Sequence, residues 1–163
     1  MRISIVTRAV LGIAALLAAG AVLHAAEAQY VGAAKCKTCH AKEFTIWSES
    51  LHAKAFDKLS AEDRTKPECV ACHVTGHGKP AAQGAALEGV QCENCHGAGS
   101  LYKAVSIMSK KAYEADPEGM HKKSLEAGLV VPTEATCKGC HNEKSPHFKG
   151  FDFKTMSEKI KHW

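Results

Sequence analysis

Four times in this chain a C-x-x-C pair is followed at once by histidine: Cys36, Cys39, His40; Cys69, Cys72, His73; Cys92, Cys95, His96; Cys137, Cys140, His141. All eight cysteines are used and none is left over. With ten histidines in 163 residues, four successes in four arise by chance with a probability of about 10⁻⁵, so the five-residue unit is what needs explaining. C-x-x-C-H is the attachment signature of c-type haem. The two thiols add across two vinyl groups of the porphyrin, and the next imidazole lies under the iron. Four units therefore call for four covalently attached haem c groups, with His40, His73, His96 and His141 as proximal ligands. Zinc also uses C-x-x-C half-sites but demands nothing of the following residue, and disulfide frameworks are built from spaced cysteines rather than adjacent dithiols.

The N-terminal segment reads as an export signal. Arg2 and Arg8 precede an uncharged apolar run over residues 9–23, shorter than the roughly 20 apolar residues a spanning helix needs. The small-residue pattern Ala26, Glu27, Ala28 then supplies a cleavage site. Residues 1–28 are expected to be a secretory signal cleaved after Ala28, leaving 29–163 as a tetrahaem c-type cytochrome domain in the periplasm or cell envelope, with peripheral or no membrane association. That remainder has 135 residues, and its positive charge comes from eighteen Lys and only Arg64. No Arg-rich block or nucleic-acid motif appears, so nucleic acid is not an expected partner. About 34 residues per macrocycle are too few for an ordinary apolar core. The expected fold is a mainly α small multihaem cytochrome c with a haem-packed core, its helices joined by Gly/Pro-rich loops and with little or no β-sheet. Helical spacing is expected over 41–59 (Phe44, Trp47, Leu51, Ala55), over 101–115, and from an Asp152 N-cap through Phe153, Met156 and Ile160.

Five histidines remain for the opposite faces of the irons: His52, His77, His121, His147 and His162. His52 borders the apolar face of the 41–59 helix, and His162 closes the last one. His77 lies in a Gly-rich loop from which it could cap a neighbouring iron, His121 follows the turn signal Asp116, Pro117, Glu118, Gly119 and reads equally as ligand or surface, and His147 falls in a polar loop and reads as a histidine in solvent or behind a ligand. Met108 offers a thioether.

Between the motifs the chain resembles the tetrahaem cytochrome c-554 family over nearly all of residues 29–163. The resemblance rests on 36–40 followed by Trp47 and His52, Ala53, Lys54, Ala55, then on 69–76, 89–99 and the tail 151–162. It implies that His52 caps the third haem, on His96, and that His162 caps the fourth, on His141. It also implies a five-coordinate second haem, on His73, and a distal histidine for the first haem from the segment after the third motif. There this chain has Ile107 and Met108 instead, so His121 is the first candidate for the haem on His40 and Met108 the second. His77 stands near the place of the open second haem.

The expected function is single-electron transfer between redox protein partners, with Lys110, Lys111, Lys122 and Lys123 able to steer an acidic one. No side-chain catalytic constellation is visible. The alternatives are a small haem enzyme that reduces or binds NO, nitrite or peroxide at an open haem on His73, and a subunit of an extracellular haem filament.

Overall fold

The computed structural model describes residues 26–162, so most of the export-signal reading, over residues 1–25, lies outside the described residues. Eight short helices follow one another: α1 Ala33–Lys37, α2 Ala41–Glu49, α3 Pro67–His73, α4 Cys92–His96, α5 Lys110–Ala115, α6 Pro117–Glu126, α7 Glu134–Lys138 and α8 Phe153–Glu158. Two 3₁₀ turns, Phe56–Lys58 and Asp63–Thr65, lie between α2 and α3. Extended pairing among the described residues amounts to isolated bridges of Tyr30 with Ala81 and of Val74 with Glu88 and Gly89. The described residues are helical with no sheet, as their patterning predicts.

The helix expected over 41–59 is shorter. α2 ends at Glu49, where Ser50 turns extended (ψ 162°), because tertiary bonds replace helical ones from there on. Trp47 Nε1 donates to the carbonyl of Val90 at 2.8 Å, and Val90 N donates to the carbonyl of His52 at 2.9 Å. His52 consequently sits in a turn pinned against the strand-like approach to the third motif. The helix expected over 101–115 starts late, at Ser109, whose hydroxyl caps Ala112 N. Asp116 and Pro117, which read as a turn, instead start α6: Asp116 accepts from Gly119 N at 2.9 Å and proline occupies the first helical position. Asp152 caps α8 as expected, at 2.8 Å from Thr155 N.

The polypeptide provides very little core of its own. Among the described residues, the buried apolar side chains are Val31, Ala33, Val70, Tyr102 and Met120, and the largest fully buried side chain is Glu93, 1% exposed. Glu93, inside α4, accepts from the backbone N–H groups of Val31 (2.9 and 3.0 Å), Gly32 (2.7 Å) and Gly99 (2.7 Å). Next to it, Gln91 accepts from Ala33 N at 2.6 Å and donates to the carbonyls of Ala86 and Glu88. Thr75 bridges Gly89 O and Gln91 N. This polar clasp ties the segment before α1, the loop after α3 and the third motif into one unit.

Gly89 belongs to that clasp. Its φ is +84°, and a Cβ there would stand 2.7 Å from the carbonyl oxygen of Ala53. Gly89→Ala is expected to cost about 2–3 kcal/mol, from left-handed backbone plus that contact. Denaturant unfolding of the haem-loaded protein measures it, and an unchanged midpoint would show that the approach of the His52 turn is not tight.

Candidate functional site

Each C-x-x-C-H unit is a single turn of helix. His40 N and His141 N bond the carbonyls of Cys36 and Cys137, both at 2.9 Å, while the second and third motifs lie within α3 and α4. Helical spacing of three and four residues puts both sulfurs and the imidazole on one face, which is the arrangement covalent haem attachment requires.

Those faces open onto two cavities. One, of about 440 Å³, is lined by His40, His96, His162, His52, Met108 and Trp47 together with Cys36, Cys92 and Cys95. The other, of about 580 Å³, is lined by His73, His141, His52, Phe151 and Met156 together with Cys72, Cys95, Cys137 and Cys140. Both walls are mostly apolar, with the sulfurs and imidazoles as part of the lining. A flat macrocycle anchored at its edge and ligated at its centre fits such a cleft, and it also supplies the core that the chain lacks. No group of three or more His, Cys, Asp or Glu among the described residues converges on a metal-ion site. All eight thiols are unpaired.

Imidazoles face each other across these cavities in two pairs. The rings of His52 and His141 are 5.9 Å apart between centroids, and those of His96 and His162 are 6.0 Å apart. Two imidazoles on opposite faces of one metal, each bonded at about 2.0–2.1 Å, place their ring centres roughly 6 Å apart. These proximities differ from the pairing the resemblance implies, although His52 also lines the first cavity with His96. The turn that ends α2 carries His52 to His141, and the tail after α8 carries His162 to His96.

The ring nitrogens away from the cavities are engaged by backbone oxygen: His73 Nδ1 lies 2.6 Å from Ala55 O, His96 Nδ1 3.3 Å from Val130 O and His162 Nδ1 2.8 Å from Ile160 O. With Nδ1 donating, Nε2 is left as the ligating atom and its basicity rises. Burial first, then the neighbouring His141, holds His52 below the usual histidine range. Burial likewise dominates the downward shift of His96. Both shifts favour the neutral ring, the form that binds a metal.

The motifs also meet one another through sulfur. Cys36 stands beside Cys92 at the first cavity, and Cys140 beside Cys72 at the second. Burial, then Cys137 and Cys92, pushes the Cys95 thiol up to about 11. Burial also leads the rise of Cys140 to about 12, followed by Cys72. Cys92, in contrast, is held below the usual thiol range by the neighbouring Cys36. In space the motifs run first, third, fourth, second.

Three histidines fall elsewhere. His121 and His77 are exposed and line neither of the two cavities. On α6 the inward positions go to Met120 and Ser124, and His121, one residue on from Met120, is rotated out to solvent. His77 is held in a turn between Gly76 and Gly78, both at positive φ. His147 is exposed, as expected. Met108 is half-buried and faces the first cavity. Lys110, Lys111, Lys122 and Lys123 are all exposed on the α5–α6 hairpin. Lys110 and Lys122 pair with Glu114 and Glu126 at 3.8 and 3.9 Å, which tempers that patch. Sequence reasoning missed the clasp of Glu93, Gln91 and Thr75. Its only signal was a carboxylate lodged inside an attachment motif.

Residues 35–97 match the family described as cytochrome c554 and c-prime. Cytochrome c-554 of Nitrosomonas europaea is 31% identical over 149 residues, covering 77% of this chain. The chain spans 63% of the length of that curated relative. The solved structure of the reduced state of cytochrome c554 from Nitrosomonas europaea superposes with a TM-score of 0.56 at 26% identity, covering 82% of this chain and 79% of that one.

Proposed function

The chain is a relative of the cytochrome c-554 family, and from that premise we propose that it is an exported electron carrier, passing single electrons between redox protein partners of the cell envelope. Its four C-x-x-C-H units hold four covalently attached haem c groups. These supply one-electron exchange between ferric and ferrous iron. The observation that carries the proposal is the pair of facing imidazoles in each cavity, His52 with His141 and His96 with His162. With haem attached, His52 with His141 and His96 with His162 would hold two irons, and bis-histidine haem would supply outer-sphere electron transfer at low potential.

The chain's own residues hold these sites rigid. His52 is fixed by the bond of its carbonyl to Val90 N, His73 by Ala55 O and His96 by Val130 O. Trp47, Val90, Leu129 and Ile160 give the first cavity much of its apolar wall. The contacts of Cys36 with Cys92 and of Cys72 with Cys140 support electron passage in the order first, third, fourth, second. Export is supported by the charge and apolar pattern of residues 1–28. No described helix is long and apolar enough to cross a membrane.

A second reading, binding or reduction of NO, nitrite or peroxide at the second motif, has one observation in its favour. His73 lines the second cavity with no imidazole paired to it among the described residues, since His52 there faces His141.

Both readings are tested on protein matured with its haems. Haem content is expected at four per chain, with reversible reduction and electron exchange with small redox proteins. A haem content far from four, or iron that does not cycle, overturns the carrier proposal. Oxidised-state EPR with and without NO then decides the second reading: about a quarter of the iron high-spin and NO-reactive supports it, whereas all-low-spin iron indifferent to NO removes it.

A further inference from the structure

We infer that Met108 is the sixth ligand of the iron on His40, so that the first haem is a histidine–methionine site in a molecule whose third and fourth haems are bis-histidine. The inference rests on the electron-carrier reading and deepens it by assigning the row of haems a high-potential end.

The donors lining the first cavity are few, and all but one are spoken for. His96 faces His162, and His52 faces His141. Glu43 approaches His40 at Nδ1, 3.9 Å away, on the side of the ring that does not ligate. The Tyr113 hydroxyl is hydrogen-bonded to Ser124, whose own hydroxyl donates to Met120 O. That leaves His40 and Met108 as the unpaired nitrogen and sulfur donors of the cavity.

Met108 is also held there by the backbone. Its N–H bonds the carbonyl of Ala104 at 2.8 Å, in a run of turns that starts at the third motif. Lys103 N bonds Gly99 O at 3.0 Å, and the buried Tyr102 donates to Gly97 O at 2.9 Å. On the other side Ser109 caps α5. A methionine fixed between two anchored segments and turned into a cleft beside an attachment motif has a position that general apolar packing does not require.

A thioether is a soft, neutral ligand that favours ferrous over ferric iron, and replacing imidazole by methionine raises the potential of a haem. The first haem is then the last of the row to give up its electron. Since the first motif lies at one end of the row, electrons entering at the other end collect there.

The test uses the oxidised holoprotein. Ferric haem with an axial methionine shows a sulfur-to-iron charge-transfer band in the near-infrared, which bis-histidine haem lacks. The native protein is expected to show this band. Met108→Leu is expected to lose it, convert one iron in four to high-spin and keep four haems. Met108→His is expected to restore low-spin iron without the band and to lower the highest of the reduction steps. Absence of the band from the native protein, or its survival in Met108→Leu, overturns the assignment. A purely packing role for Met108 would leave band and potential in place in the leucine variant. Failure of the parent reading is distinguishable, because it would appear as a native haem content other than four.

Discussion

Replacing Glu93 by alanine is expected to cost the protein about 3–5 kcal/mol, a large part of the stability of a domain this size. The carboxylate is 1% exposed and takes the N–H groups of Val31, Gly32 and Gly99. Truncation strands three buried donors with no water to replace the lost acceptor, and an orphaned buried donor is costlier than a mean hydrogen bond is favourable. Glu93→Gln is expected to recover only a minor part of the loss. The amide keeps one oxygen but presents an NH₂ group to donors that need an acceptor. Guanidinium unfolding of the haem-loaded variants, followed by tryptophan emission and by the haem band, measures the effect. A midpoint shift small enough to correspond to under about 1 kcal/mol would show that the covalent haems, and not the clasp, hold the segment before α1 onto the third motif.

The clasp also marks the boundary of what the amino-acid sequence discloses. The attachment turns were legible because their chemistry forces a fixed local spacing: Cys92, Cys95 and His96 must share one helical face, and α4 provides that face and nothing more. The helical class was legible for the same reason, and the Asp152 cap is local too. The end of α2 was not. The period of Phe44, Trp47, Leu51 and Ala55 continues through Ser50, but the helix yields to Val90, forty residues away, which takes the indole N–H of Trp47 and bonds the carbonyl of His52. Which imidazole faces which motif is likewise a long-range matter. His52 and His162 were recognisable as cavity-facing from their local apolar surroundings. Their partners depend on how two turns and a tail fold back, and spacing carries no record of that. For His121 the turn signal left buried and exposed positions equally open, and Pro117 in fact opens α6, on which the ring is exposed.

The pairing of imidazoles gives the other large effect. His52→Ala is expected to open the iron on His141, and His162→Ala the iron on His96, because those are the rings 5.9 and 6.0 Å apart. Each substitution should convert about one iron in four from low-spin to high-spin, since nothing else among the lining side chains stands where the lost imidazole stood. Counting spins does not say which haem has opened, but removing a haem does. With Cys137→Ser and Cys140→Ser the fourth haem is not attached, and a measured content of three shows that the rest of the chain is loaded. In that background His52→Ala is expected to add no high-spin signal, because its iron is gone, whereas His162→Ala still opens the third haem. The reverse result, high-spin iron from His52→Ala and none from His162→Ala, would reinstate the pairing the resemblance implies and show that the turn after α2 swings from His141 to His96 when the haems are in place.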